Sequence, residues 1–355
     1  MRRQPRKVPW DQMSMAKALA LVVDEQPWKK LRKQTTKNKI LKMARRGQLT
    51  PQTLNQDWAY RLCAASLMQH KYHWFGWEFR GEWAAQMATK DWCYPRWDGS
   101  RCKLLVVAEQ GLGDEIVFSS CYPELAEDVE EAWIEMEPRL IPIMERSMPE
   151  NLHFVNRYLH ARKMIVPRIS DYPERWKQYP IEAFIPAGNV PKLYRQSPED
   201  FPKRKGFLEP NYEESASWVG WFDGHGIERT GCSWLGRQGE IPRPDQGVSL
   251  QYGKGVDHGD LLVPPIDLKW DIDKTFSLIH SLGKVYTTTN AVAHMAGALG
   301  VRTEVIKPKP VYATEQNLFN NRVQPWWPYD RSDWYPSVEM YINYENWRAE
   351  TRSRS

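Results

Sequence analysis

The sequence predicts an α/β fold made of two successive open units of parallel sheet and helix that face one another across a cleft. Three observations predict it. An apolar run from Leu104 to Ala108 ends in a Gly-x-Gly turn and continues as a helical pattern, the signature of a buried parallel strand entering a helix. A second junction of this kind runs from K-V-Y-T-T-T, starting at Lys284, into N-A-V-A-H-M-A-G-A-L-G. Around both, short apolar runs alternate with helical periodicity, as in a parallel sheet with helices on its faces.

A chain of 355 residues holds two or three domains at about 150 residues each. No apolar run approaches the ~20 residues needed to span a bilayer, and M-R-R-Q-P-R-K is not the start of a secretory signal. The expectation is a soluble, cytoplasmic protein with no membrane span. Five cysteines, at 63, 93, 102, 121 and 232, are odd in number and lack metal-ligand spacing, so reduced thiols are expected and no metal site. The 18 tryptophans cluster near 74–97, 218–234 and 326–347 and are expected to be large packing anchors.

Taken in order, residues 1–90 form a basic region with helical patterns over 12–23, 36–46 and 51–70. Up to position 50 there are 14 basic and three acidic residues, a net +11 on a chain whose total is +5. Such a stretch is either a solvated helical face or an arm for polyanions such as nucleic acid. From 71 to 100 an aromatic helical segment leads to a linker holding Pro95 and the Asp98-Gly99 turn.

The first α/β unit, 91–225, then runs through the strand at 104–108, A-W-I-E-M at 132–136, a segment from Pro138, K-M-I-V-P at 163–167, and I-E-A-F-I-P at 181–186. A helix over Tyr212–Phe222 closes it. The second unit, 226–330, places strands at T-G-C-S-W-L-G, G-V-S-L-Q, Leu261–Val263 and K-V-Y-T-T-T. A helix over D-I-D-K-T-F-S-L-I-H-S-L, capped by Asp271 or Asp273, lies among them. Residues 331–355 are a C-terminal segment packing back.

Two junctions could carry chemistry. In the first, Glu109, Gln110, Gly111 and Gly113 lead to Asp114 at a helix start, where unpaired backbone N–H groups favour a carboxylate. Asp114 is either a helix cap or a functional acid above the carboxyl ends of the strands. A dinucleotide fingerprint is excluded because Ile116 stands where the third glycine belongs. In the second, Thr287, Thr288, Thr289 and Asn290 mark a strand end and helix start, where exposed hydroxyls and free N–H groups could receive a phosphate. His294, one turn on, is either a satisfied helix histidine or part of the same end. Gln251 ends V-S-L-Q at the cleft edge, and a solvent-exposed strand terminus is its simpler account. No Walker loop, H-E-x-x-H or triad spacing is present, which favours metal-independent chemistry.

The motifs A-E-Q-G-L-G-D at 108–114 and A-V-A-H-M-A-G-A-L-G at 291–300 stand together with W-E-F-R at 77–80, P-R-W-D-G at 95–99, F-I-P at 184 and F-L-E-P at 207. G-C-S-W-L-G at 231, V-S-L-Q at 248, W-D-I-D-K-T at 270 and D-W-Y-P-S at 333 complete the set. In this order, over roughly residues 72–342, the chain resembles the glycosyltransferase region of bacterial and phage tetratricopeptide-repeat proteins. That group is similar to lipopolysaccharide heptosyltransferases and, distantly, to protein O-GlcNAc transferases. The resemblance implies a GT-B fold of two Rossmann-like lobes, and inverting, metal-independent transfer of a hexosyl or heptosyl group from a nucleotide-diphosphate sugar, the co-substrate, to an acceptor hydroxyl. No other cofactor is implied. It casts Asp114 as general base, the 287–290 helix start as diphosphate holder, His294 and Gln251 as the nucleotide side, and Glu109 and Gln110 as the acceptor side.

The chain departs from the family at Thr289-Asn290, where Asp-Thr is usual, and in its short segment from Gly236 to Val248. Arg237 or Arg243 is positioned to supply charge there. The family's tetratricopeptide array is expected to be missing apart from a terminal helix pair before residue 90, and the basic stretch stands in its place; its +11 charge makes nucleic acid, such as a modified base in phage DNA, an expected acceptor beside a glycan. The alternative expectation is an inactive GT-B scaffold that binds or builds.

Overall fold

The computed structural model describes scattered positions between 60 and 77, then residues 94–157, 175–253, 255–308, 325–328 and 331–354. The basic stretch over 1–46, its helical patterns, most of W-E-F-R and the strand expected at 163–167 lie outside the described residues.

The first sheet has four parallel strands, β1 (Lys103–Val107), β2 (Glu131–Met136), β3 (Leu152–Asn156) and β4 (Ala183–Pro186), in the order β3-β2-β1-β4. Helices α1 (Leu112–Ser119), α2 (Tyr122–Asp128) and α3 (Ile141–Ser147) make the crossovers among β1, β2 and β3. β1 is central, and the four residues Leu104–Val107 are fully buried, as an unbroken apolar run requires when both faces are covered. The expected linker does more than link, because Arg96 bridges to Phe184 of β4 and Trp97 N–H donates to the Phe184 carbonyl at 2.9 Å. A short helix α4 (Val190–Tyr194) follows β4, and α5 (Tyr212–His225) runs three residues past its expected end to Gly226, whose positive φ of 63° closes it.

The second sheet has five parallel strands, β5 (Thr230–Ser233), β8 (Val248–Ser249), β9 (Lys284–Thr287), β10 (Thr303–Ile306) and β11 (Val338–Tyr341), in the order β11-β10-β9-β5-β8. A small antiparallel hairpin, β6 (Leu235–Gly236) with β7 (Gly239–Glu240), leaves the end of β5. Helix α6 (Ile272–His280) precedes β9, α7 (Ala291–Leu299) follows it, and α8 (Tyr344–Arg354) ends the described chain.

Three expectations change here. Leu261–Val263 is not a strand; only Leu262 bridges to Val248, because Pro264 and Pro265 follow at once and bring no N–H to a ladder. Asp271 occupies the cap position of α6, yet its carboxylate turns back to accept from Asp267 N–H at 3.1 Å, while Asp273 pairs with Arg146 at 2.5 Å. Finally, β10 and β11 extend the second sheet beyond the elements read from the sequence. Among the described residues no helix is long and apolar enough to cross a membrane.

Candidate functional site

Open parallel sheets bind ligands at the carboxyl ends of their strands, where neighbouring connections leave in opposite directions. In the first sheet that place lies between β1 and β4, since β2 and β3 build away on one side and β4 on the other. In the second it lies between β5 and β9, with β8 on one side and β10 and β11 on the other. Both junctions singled out in the sequence fall at these two points. The structure also brings them together: a Cβ on Gly113 of α1 would stand 2.7 Å from Cδ2 of His294 on α7, so the two helices approach as closely as glycine permits.

The β1–β4 crevice is built of charged groups. Asp114 sits in the first turn of α1, and its Oδ2 accepts the Gly111 N–H at 3.1 Å, the capping role open to any acid there. Its Oδ1 accepts the indole N–H of Trp326 at 2.6 Å, a partner 212 positions away. Burial raises the Asp114 pKa above the usual carboxylate value, against the pull of Trp326 and Gly111, and the nearby Glu109 adds to the rise. Glu109 is itself buried and accepts the Gly188 N–H, just after β4, at 2.7 Å. Gln110 is exposed with φ at +66°, a left-handed conformation unusual for a residue with a side chain.

Sequence reasoning missed the network beside this loop. Arg157, immediately after β3, donates from Nη1 to Glu115 at 2.7 Å and to the Gln110 carbonyl at 3.2 Å, and from Nη2 to Glu137 at 2.5 Å. Glu115 also accepts the Glu137 N–H at 2.7 Å. Burial pushes Glu115 up to about 8 even though Arg157 lowers it, whereas Glu137, less buried and joined by Arg139 as well, falls below its ordinary value. The one available signal was position: Glu137 and Arg157 each come directly after a strand.

The centre of the β5–β9 crevice is built of hydroxyls and amides. Thr287 Oγ1 donates to the Ser233 carbonyl at 2.9 Å. Asn290 caps α7: its Oδ1 accepts from the N–H groups of Val292 (3.0 Å) and Ala293 (3.4 Å), and its Nδ2 donates to Ser233 Oγ (2.9 Å) and the Leu235 carbonyl (3.1 Å). The expectation of exposed hydroxyls and free N–H groups is therefore corrected on both counts. The three threonines are buried, and Asn290 already occupies two of the first amides of α7. Thr288 Oγ1 and Thr289 Oγ1 have no hydrogen-bond partner among the described residues. The hairpin closes over them, for a Cβ on Gly236 would lie 2.8 Å from Thr288 Cγ2.

Gln251 is a second correction. It is a buried pin rather than an exposed terminus, its Oε1 accepting from Ser233 Oγ (3.1 Å) and Leu235 N–H (2.9 Å). Arg237 stands exposed at the hairpin turn, while Arg243 lies over the Trp234 ring at 5.6 Å and donates to the Asp257 carbonyl. His294 is buried, with Nδ1 2.9 Å from the Tyr335 hydroxyl and its ring 4.5 Å from that of Trp327; burial drives its pKa down to about 3, so the imidazole is neutral. Among the described residues no group of three or more His, Cys, Asp or Glu is arranged to hold a metal ion.

No family model matches the chain. Protein FlbA of Caulobacter vibrioides is 27% identical to it over 282 residues, 70% of this chain and 45% of that protein, so the chain spans less than half the length of this curated relative. Among solved structures, the glycosyl transferase family 9 structure from Veillonella parvula DSM 2008 is similar with a TM-score of 0.41 at 11% identity, covering 72% of this chain and 89% of that one. The E. coli ADP-heptose lps heptosyltransferase II is similar with a TM-score of 0.42 at 11% identity, covering 68% of this chain and 89% of the other.

Proposed function

We propose that the chain is an inverting glycosyltransferase of two lobes, 91–225 and 226–330, which moves a sugar from a nucleoside diphosphate to an acceptor hydroxyl. The observation that carries the reading is the meeting of the two crevices at Gly113 and His294, which sets a carboxylate of raised pKa beside a neutral, hydroxyl-lined helix start. In the reaction the acceptor oxygen attacks the anomeric carbon and its proton passes to Asp114. The bond from that carbon to the diphosphate breaks, and the diphosphate leaves with the electron pair. One displacement inverts the centre. A carboxyl shifted upward by burial is a stronger base than an ordinary one, and a base so placed is worth about 10²–10⁴-fold in rate. Its oxygens retain lone pairs beyond those used by Trp326 and Gly111.

On the donor side, Asn290 engages the amides of Val292 and Ala293, and the buried hydroxyls of Thr288 and Thr289, without a partner among the described residues, become donors for a diphosphate once the hairpin over them is displaced. A neutral cradle receives an anion without carboxylate repulsion, and oriented donors stabilise its developing charge. The basic stretch before residue 50 favours a polyanionic acceptor, with nucleic acid ahead of a neutral glycan.

A second reading, a GT-B scaffold that binds without transferring, draws on the two protein donors already on Asp114 and on the His294 ring seated over Gly113. Incubation with a panel of nucleotide-sugars separates the two. Release of nucleoside diphosphate, abolished by Asp114→Asn, supports transfer; tight nucleotide binding with no turnover in the wild type supports the scaffold.

A further inference from the structure

The geometry points to Trp326 as the positioning residue of Asp114, held in place by Lys307 through the backbone of the strap Pro325–Pro328. The inference rests on the reading of Asp114 as the base, and extends it to residues far from either crevice in sequence.

Lys307 follows β10 directly and is almost wholly buried, at 2% exposure. Its ammonium donates to the carbonyls of Trp327 (3.0 Å) and Pro328 (2.7 Å). A buried ammonium is costly unless its donors are used, so these contacts fix the path of the strap rather than decorate it. The strap then sends consecutive residues to the two helix starts. Trp327 lies against His294 on α7, and Trp326 reaches Asp114 on α1.

The Trp326 ring has no freedom to wander. It meets Trp77, Phe118 and Trp334 edge-on, with centroids 5.3, 5.8 and 5.3 Å away. An indole N–H donates only, and for Trp326 the acceptor is Asp114 Oδ1 at 2.6 Å. Hydrogen bonds to an ionised carboxylate are about twice as strong as neutral ones. With Gly111 N–H on Oδ2, one donor from the same turn and one from 212 positions away fix the plane of the carboxylate.

Three other titratable groups lie around this carboxylate. Glu109, from the loop after β1, raises its pKa; His294, from α7, is neutral and carries no charge; the Tyr335 hydroxyl, from the segment before β11, is held protonated by burial and by Asp114 itself. Trp326 is the largest influence acting in the opposite direction to burial.

The test is NMR on the full chain carrying 13C at the aspartate carboxyls, with the Asp114 signal identified by its loss in Asp114→Asn. Trp326→Phe keeps an aromatic ring and removes the N–H. The apparent pKa of Asp114 is expected to shift upward in this variant and, through loss of the tether, in Lys307→Met. A folded Trp326→Phe protein whose Asp114 titrates as in the wild type overturns the positioning role; wild-type titration in folded Lys307→Met overturns the tether. Should Trp326→Phe not fold, the wild-type indole 15N–1H signal of Trp326 decides. Movement with the Asp114 titration, absent in Asp114→Asn, supports the contact, and a signal indifferent to pH overturns it. These readouts need no sugar transfer, so failure of the transferase reading would show separately, as absent turnover with the titrations intact.

Discussion

The two crevices are alike in topology and opposite in chemistry. The β1–β4 crevice is built from carboxylates and arginine, with Glu109, Asp114, Glu115, Glu137 and Arg157 in contact with one another's loops. Among the described residues the β5–β9 crevice has hydroxyls and amides at its centre: Ser233, Gln251, Thr287, Thr288, Thr289 and Asn290. A strand-to-helix turn therefore does not determine what a site does. The first crevice has groups that can hold and release a proton near neutrality, and the second has groups that can meet an anion without repelling it.

The largest effect that would sharpen this contrast is on rate. Asp114→Asn is expected to lower sugar transfer by about 10²–10⁴-fold with little change in nucleotide affinity, measured by nucleoside diphosphate release and by calorimetry. An equal loss in both quantities would break the division of labour.

Next comes pH, where the crevices pull in opposite senses. Folded Glu115 keeps its proton up to about pH 8, while the unfolded chain releases it near 4.5. Its contribution to stability is full below 4.5 and is lost as pH rises toward 8. His294 stays neutral in the fold down to about 3, while the unfolded chain takes up a proton near 6.5, so its contribution is full above 6.5 and lost as pH falls toward 3. Each slope amounts to an energy on the order of a few kcal/mol. Denaturant unfolding across pH should show the loss between pH 4.5 and 8 flattened in Glu115→Gln and the loss from 6.5 toward 3 flattened in His294→Gln.

A smaller effect is expected for Asn290→Ala, which removes the cap of α7 and leaves Ser233 and Leu235 short of a donor. The cost is about 1–3 kcal/mol by thermal or chemical unfolding. No comparable loss is expected from Arg237→Ala at the exposed hairpin turn.

Legibility in the sequence follows locality. The β1-turn-α1 and β9-turn-α7 units are visible because strand, turn and helix are contiguous, and Asp114 and Asn290 cap helices by rules that act within three residues. What those residues meet is not visible. The hydrogen bonds from Trp326 to Asp114 and from Arg157 to Glu115 and Glu137, and the pin made by Gln251, all join segments brought together only by packing. Burial misled as well: the threonine run resembles an exposed phosphate loop, yet the β6–β7 hairpin covers it. The tryptophans were legible as packing anchors, but not as N–H donors, a role Trp74, Trp77 and Trp326 fill toward Arg195, Gly188 and Asp114. Short strands such as β10 and β11 take their identity from neighbours in the sheet rather than from their own four residues.

The smallest effect is also the most direct. Thr288→Val and Thr289→Val remove buried hydroxyls that have no partner among the described residues, so each should leave the free protein as stable or more stable by up to about 1 kcal/mol. If those hydroxyls exist to meet a diphosphate, the same changes must weaken its binding. A thermal-shift titration with a panel of nucleoside diphosphates measures both at once, since a ligand at 100 times its Kd stabilises by about 2.7 kcal/mol. At least one nucleoside diphosphate is expected to raise the wild-type Tm, with the rise largely lost in the Thr288→Val, Thr289→Val double variant. No shift with any nucleoside diphosphate, or a full shift retained in the double variant, would contradict a diphosphate-binding role for these hydroxyls.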